Sequence, residues 1–169
     1  MLEAVSRTHW PRTLLAAAPA LLLLALHITL YQPFFADDAL ISLRYAERFV
    51  QGLGLTWNDG ERVEGYSNLA WVLATAALHA LGMDLISAAR VLGIIGMSGA
   101  LVCVARCTVS DKRAAWAAGA LAACGLALSG PLAVWAVGGL EQAFIALFLA
   151  LALVEAARCI ESSSISQPW

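Results

Sequence analysis

Long apolar stretches without charged residues constrain this chain more than any other feature of its sequence. The first runs from Thr13 to Ala36, and its core from Leu14 to Tyr31 is long enough to cross a bilayer as a helix. Of all residues, 61% are hydrophobic and only 13% are charged, whereas soluble domains are about half apolar and a quarter charged. Because a small soluble domain buries only part of its surface, lipid has to cover the remainder. The sequence therefore predicts an all-α integral membrane protein.

We predict about four transmembrane helices and two interfacial or juxtamembrane helices, which together form a single membrane module over residues 1–160. The predicted spans cover residues 13–31, 85–105, 114–130 and 141–157. An outer loop, residues 32–84, carries the interfacial helices at 38–51 and 69–82, the second of which is apolar but short for a full crossing. Arg90 stands near one end of its span, where it is expected to snorkel towards the headgroups. The serine-rich residues 161–169 are predicted to form a disordered tail.

The distribution of Lys and Arg predicts how this module is oriented. If segment 69–82 only dips into the interface, the basic residues near the span ends share one side of the membrane: Arg7, Arg12, Arg106, Lys112, Arg113 and Arg158. A full crossing by this segment would move the basic loop 106–113 to the outside, against the positive-inside rule. We therefore expect a multi-pass protein of the inner (plasma) membrane with a cytoplasmic N-terminus and an outward-facing acidic loop.

The outer loop has an unusual density of polar side chains for so apolar a chain. They are Asp37, Asp38, Arg44, Arg48, Asp59, Glu61, Arg62, Glu64, Tyr66 and Asn68. Charge at a membrane boundary is costly unless it is solvated or paired, and adjacent carboxylates perturb one another in a way that suits a general base. The alternative for Asp37 is a helix N-cap, and for Glu61 and Glu64 it is a solvated loop. Arg44 and Arg48 are expected on the solvated face of an amphipathic helix.

The loop sequence from Asp37 to Trp71 resembles the first outer loop of GT-C glycosyltransferases, which are multispan enzymes that use polyprenyl-phosphate sugars. It is most similar to the actinobacterial arabinofuranosyltransferase-like branch. That branch has an Asp-Asp pair after the first span, then an amphipathic helix and a Trp/Phe-Asn-x-Gly-Glu-Arg-Val-Glu-Gly-Tyr-Thr/Ser-Asn run. The matching residues are Asp37, Asp38, Ser42, Arg44, Tyr45, Trp57, Asn58, Gly60, Glu61, Arg62, Val63, Glu64, Gly65, Tyr66, Ser67, Asn68 and Trp71.

A second segment, Trp135 to Glu141, resembles the Trp-x-x-x-Gly-Leu-Glu segment of the same branch. Gly139, Leu140 and Glu141 are in place, and Gly138 stands where a Ser or Thr is usual.

The resemblance implies transfer of a sugar from a polyprenyl-phosphate donor to an outer-face cell-envelope acceptor. It implies Asp38 or Asp37 as the base that takes the proton of the acceptor hydroxyl, and Arg44 or Arg62 as the positive charge on the leaving phosphate. The remaining residues implied in substrate binding are Glu64, Tyr66, Asn68 and Glu141. Some GT-C enzymes use a divalent metal, but no residue here is assigned as a metal ligand.

The partners implied are membrane lipid and the polyprenyl-phosphate donor, with no nucleic acid, since the net charge is −2 and no nucleic-acid-binding motif occurs. Because GT-C enzymes usually run to several hundred residues, we expect an N-terminal part of such an enzyme, completed by a C-terminal half or a partner membrane subunit. On that view the chain would be inactive alone. The alternative is a truncated or accessory multi-pass membrane protein that keeps the loop without catalysis.

Overall fold

The computed structural model describes residues 10–61, 63–107 and 113–165, and in this part of the chain every regular element is an α-helix. The helices are α1 (Trp10–Ile28), α2 (Ala39–Val50), α3 (Leu69–Ala80), α4 (Leu85–Cys107), α5 (Arg113–Ala127), α6 (Gly130–Val137) and α7 (Gln142–Ile165). The predicted all-α fold is confirmed for these residues.

The helices α1 and α4 are each long and apolar enough to cross a membrane. The pair α5 and α6 meets that criterion only together and is bent by 66° at its break, where Pro131 starts a new helix because it lacks an N–H to continue the old one. Gln142–Ala156, the apolar part of α7, is shorter than a full span. The described residues thus contain two candidate spans, or three if the bent pair is one, and a count of four stays a prediction.

The C-terminal boundary differs from the prediction. We expected a disordered tail from residue 161, but α7 continues to Ile165, so the prediction is wrong for residues 161–165. Neither Gly nor Pro interrupts the chain there, and the serines are only mildly unfavourable in a helix. Residues 166–169 lie outside the described part of the chain.

Small residues bring the membrane helices close together. A Cβ atom on Gly96 of α4 would lie only 2.8 Å from the carbonyl oxygen of Ala143, and one on Gly99 only 2.8 Å from a methyl group of Leu147. On α1, Ala16, Ala17 and Ala20 are buried in the same core. In lipid, helices associate through such close van der Waals packing rather than through the hydrophobic effect.

The helices α2 and α3 form an outer layer at one end of this bundle. Between them lie the buried residues Tyr45, Ala46, Val72 and Ala76. A second small cluster, with Trp71 at its centre, joins this layer to the first turns of α4. The outer layer is therefore fixed to the bundle, and the predicted site residues other than Glu141 lie on it or on the segments next to it.

Candidate functional site

Asn68 connects the outer loop to the turn that precedes α7. Its Nδ2 donates a hydrogen bond of 2.7 Å to Glu141 Oε2, across 73 positions of sequence. The Ser42 hydroxyl of α2 donates to Asn68 Oδ1 at 3.1 Å. Asn68 flanks α3 without making a side-chain cap, so its amide is committed to these two partners. Two predicted site residues, Asn68 and Glu141, are thereby brought into direct contact.

The backbone around Glu141 is held from two sides. Residues 138–141 are called here the glycine turn. The Trp71 indole donates a hydrogen bond of 3.0 Å to the carbonyl of Gly139. The backbone N–H of Ala36 donates another, also of 3.0 Å, to the carbonyl of Gly138. Gly139 has φ +89°, which favours glycine, and a Cβ there would overlap the ring of Phe35. The turn therefore has little room to move relative to the outer layer.

The paired carboxylates lie beside the glycine turn. The residues on either side of Asp37 and Asp38 contact this turn. Ala36, just before them, bonds to it. Ala39, just after them, has its Cβ 3.1 Å from the place that a Cβ on Gly139 would take. Asp38 takes the N-cap position of α2 without a side-chain cap bond, and Asp37 Oδ1 accepts the backbone N–H of Asp38 at 3.0 Å. Both side chains are exposed. Neither aspartate caps the helix through its side chain, so the N-cap alternative for Asp37 is wrong.

One face of α2 presents Asp38, Ser42 and Tyr45, which are spaced four and three residues apart. Tyr45 is 1% exposed. Its hydroxyl donates to the carbonyl of Val63 (2.8 Å) and accepts the N–H of Gly65 (2.9 Å). The buried phenol therefore holds the second half of the outer loop against the helix that carries the Asp pair.

Glu64 and Tyr66 lie elsewhere on this loop. Together with Thr56 they line an open groove of about 460 Å³, and the Tyr66 ring packs edge-on against Tyr45 at 4.8 Å between centroids. Their hydrogen-bonding groups are not part of the contact between Asn68 and Glu141. The structure therefore divides the predicted substrate-binding residues between two places.

Arg44 points away from both places. On an ideal helix it is about 200° around from Ser42, and its guanidinium pairs with Glu47 at 3.0 Å, with side chains 41% and 36% exposed. It lines a groove of about 410 Å³ with Asp84 and Leu85. Arg62, the other arginine implied in phosphate binding, lies outside the described residues.

Arg48 corrects the prediction of a solvated arginine face. Its residue is only 5% exposed, because the loop after α2 folds back over it. Arg48 Nε donates to Thr56 Oγ1 at 3.0 Å, and its terminal nitrogen pairs with Asp59. The hydrogen bond from Arg48, followed by its positive charge, lowers the pKa of the exposed Asp59 carboxyl below its ordinary value. Helical periodicity describes only which side chains share a face of α2, so it could not reveal that the loop after α2 covers Arg48.

Ser42 and Trp71 are functional candidates that reasoning about individual residues did not single out. Both belong to the matched loop pattern, but no role was predicted for either. The i, i+4 spacing of Asp38 and Ser42 is the signal that could have linked Ser42 to the acidic pair. For Trp71 we find no comparable local signal, since its partner Gly139 is 68 positions away.

The part of the chain that the structure describes contains no group of three or more His, Cys, Asp or Glu side chains arranged to hold a metal ion. Comparison of the chain with protein-family models, curated proteins and solved structures finds no significant match.

Proposed function

We propose that the chain is a membrane glycosyltransferase, or part of one, that transfers a sugar from a polyprenyl-phosphate donor to an outer-face cell-envelope acceptor. The observation that supports this most is the 2.7 Å hydrogen bond between Asn68 and Glu141. It joins the two segments that carry the resemblance to GT-C enzymes, and it does so beside the paired aspartates. A stable carboxylate–amide pair next to exposed acids is the kind of polar site that binds and activates hydroxyl groups.

The proposed chemistry needs a base, because an acceptor hydroxyl is a poor nucleophile. One carboxylate accepts the hydroxyl proton while the acceptor oxygen bonds to the anomeric carbon, and the bond from that carbon to the phosphate oxygen breaks, releasing polyprenyl phosphate. We assign the base to Asp38, since it shares a face of α2 with Ser42, the hydrogen-bond partner of Asn68. Asp37 is the second choice, because its Oδ1 already accepts the Asp38 N–H.

The other residues of the proposal bind rather than react. Asn68 and Glu141 would orient sugar hydroxyls, and Glu64 and Tyr66 would contact a more distant part of the substrate along their groove. Positive charge for the leaving phosphate is proposed from Arg62 rather than from Arg44, because Arg44 is paired with Glu47 on the far side of α2.

The decisive experiment replaces each aspartate by Asn, which keeps the size of the side chain but cannot take a proton. We expect Asp38→Asn to slow transfer by about 10²-fold or more and Asp37→Asn to slow it less. The measurement is transfer of labelled sugar from polyprenyl-phosphate arabinose to cell-envelope glycan in native membranes. Glu61→Gln is the matched control, since Glu61 is an exposed acid of the same loop, held by Asn58. Normal rates in both Asn variants at unchanged protein levels would remove the assignment.

We also propose that the outer layer faces away from the cytoplasm, with the N-terminus inside and the chain in the inner membrane. The Lys and Arg distribution supports this orientation. In a cysteine-free background, Ser67→Cys, at an exposed position, is expected to react with an impermeant maleimide on intact cells. Ser110→Cys is expected to react only after permeabilisation, and labelling of Ser110→Cys on intact cells would contradict the proposed layout.

A further inference from the structure

The guanidinium of Arg90, in the first turns of α4, is bonded to the chain segment that leaves α1. Its terminal nitrogen donates to the carbonyl of Gln32 at 2.7 Å and lies 3.4 Å from the carbonyl of Phe34. Its central carbon is 5.7 Å from the centroid of the Phe35 ring, within the range of a cation–π contact. The sequence predicted that Arg90 would snorkel towards lipid headgroups, but its side chain instead folds onto residues 32–36.

The same segment, residues 32–36, meets the glycine turn on its other side. The Ala36 N–H bonds to the carbonyl of Gly138, the Phe34 ring packs edge-on against Trp135 at 6.1 Å, and the Phe35 ring fills the space next to Gly139. Three parts of the chain, the ends of α1 and α6 and the start of α4, therefore come together at residues 32–36. The very next residues are the paired aspartates.

We propose that Arg90 is a positioning residue for the acidic site. By holding residues 32–36 against the glycine turn, it keeps Asp37 and Asp38 in a defined place relative to Glu141. The expected effect of Arg90 on catalysis rests on the proposed function, whereas its effect on the position of residues 32–36 does not. A lysine is not expected to replace it fully, because the ammonium lacks the planar fork with which a guanidinium stacks on an aromatic ring while its terminal nitrogens donate to carbonyl groups.

Arg90 is half-buried, and the surroundings of its Nε support this role over simple solvation. Its Nε is buried and has no hydrogen-bond partner among the described residues, so this part of the group faces protein rather than water. Arg106, at the other end of α4, contrasts with it: the Arg106 guanidinium lies 4.4 Å from the centroid of the Trp10 ring, far along the helix from the acids. Arg106 is therefore a matched control for loss of an arginine from α4.

The first test measures hydrogen exchange of the protein in nanodiscs, without any substrate. We expect Arg90→Met to speed exchange in the peptide covering residues 32–39 by about tenfold or more, since bonds to a charged donor are lost there. Arg90→Lys should give an intermediate rate, and Arg106→Met should leave this peptide unchanged. Unaltered exchange in Arg90→Met would overturn the proposal. Faster exchange spread evenly over the whole chain in both Arg90 variants would also overturn it, because the role would then be general stability.

The second test measures sugar transfer from polyprenyl-phosphate arabinose in native membranes. We expect Arg90→Met to lower kcat by about 10²-fold, as misplacement of a catalytic group by about 1 Å does, with little change in the KM of the donor. Arg90→Lys should recover part of the loss, and Arg106→Met should keep the wild-type rate. A normal kcat in Arg90→Met would overturn the catalytic consequence. If the wild-type protein transfers no arabinose, the proposed function fails for this donor, while hydrogen exchange still decides whether Arg90 positions the acids.

Discussion

The outer layer and the membrane bundle are stabilised in different ways. In the bundle, α4 meets α6 and α7 through Gly93, Gly96 and Gly99, and the core is largely alanine. In the outer layer, α2 and the loop after it are joined by hydrogen bonds from buried polar side chains, chiefly Tyr45 and Arg48. One region relies on close packing of small residues, and the other relies on directed polar contacts.

This difference indicates where chemistry is possible in the molecule. Close helix packing in lipid depends mainly on small residues, with an occasional polar bond between helices, such as that between the His27 ring and the carbonyl of Ala127 at 3.0 Å. Directed hydrogen bonds, in contrast, hold side chains at fixed positions, which a binding or catalytic site requires. The candidate site lies where the two regions meet, at the bond between Asn68 of the outer layer and Glu141 at the start of α7.

The largest effect is expected from adding volume to the bundle. Gly93→Leu should reduce the free energy of unfolding by about 3 kcal/mol, at the upper end of the range for overpacking, because even a Cβ there overlaps the carbonyl oxygen of Ala136. Gly125→Leu on α5 is the control, since nothing lies within 4 Å of a Cβ at that position. Thermal unfolding in detergent measures both. Equal losses of unfolding free energy in the two variants would contradict the distinction between glycines that pack against another helix and glycines that are exposed.

A smaller effect is expected from removing one hydroxyl in the outer layer. Tyr45→Phe leaves the carbonyl of Val63 and the N–H of Gly65 without their partner, which should cost about 1–3 kcal/mol. Limited proteolysis within residues 53–66 should become faster while the bundle stays intact. Tyr31→Phe, in a ring that packs near His27 at 5.5 Å, is the control within the bundle. Unchanged cleavage in Tyr45→Phe would mean that polar contacts do not hold this loop.

The smallest effect concerns the ion pair between Arg48 and Asp59. Because Arg48 lowers the pKa of Asp59 below its ordinary value, the contribution of the pair is fully present at any pH above that ordinary value. It is lost as the pH falls through the lowered pKa. Cleavage of the loop by pepsin should therefore accelerate below about pH 4 in the wild-type protein. The Asp59→Asn variant should be cleaved faster already at pH 5, and its cleavage rate should depend less on pH. Identical profiles for the two proteins would show that this pair does not hold the loop.

The helices themselves could be predicted closely from local sequence. α2 begins one residue after its predicted start and ends one residue before its predicted end, and α3 begins at the predicted residue. Apolar length, glycine breaks and helical periodicity depend only on neighbouring residues, so they can be read along the chain. The end of α7 could not be predicted in this way, because serine and glutamate are compatible with both helix and tail.

The sequence by itself determined that the chain is helical and apolar enough for a membrane, and that its polar residues concentrate between α1 and α4. Tertiary structure alone decided which of these residues meet. Asn68 reaches Glu141 across 73 positions, Arg48 is covered by its own loop, and Arg90 bonds to a segment 58 positions earlier in the chain. Such contacts depend on how helices pack, and packing is set by shape and volume over the whole bundle rather than by any local pattern.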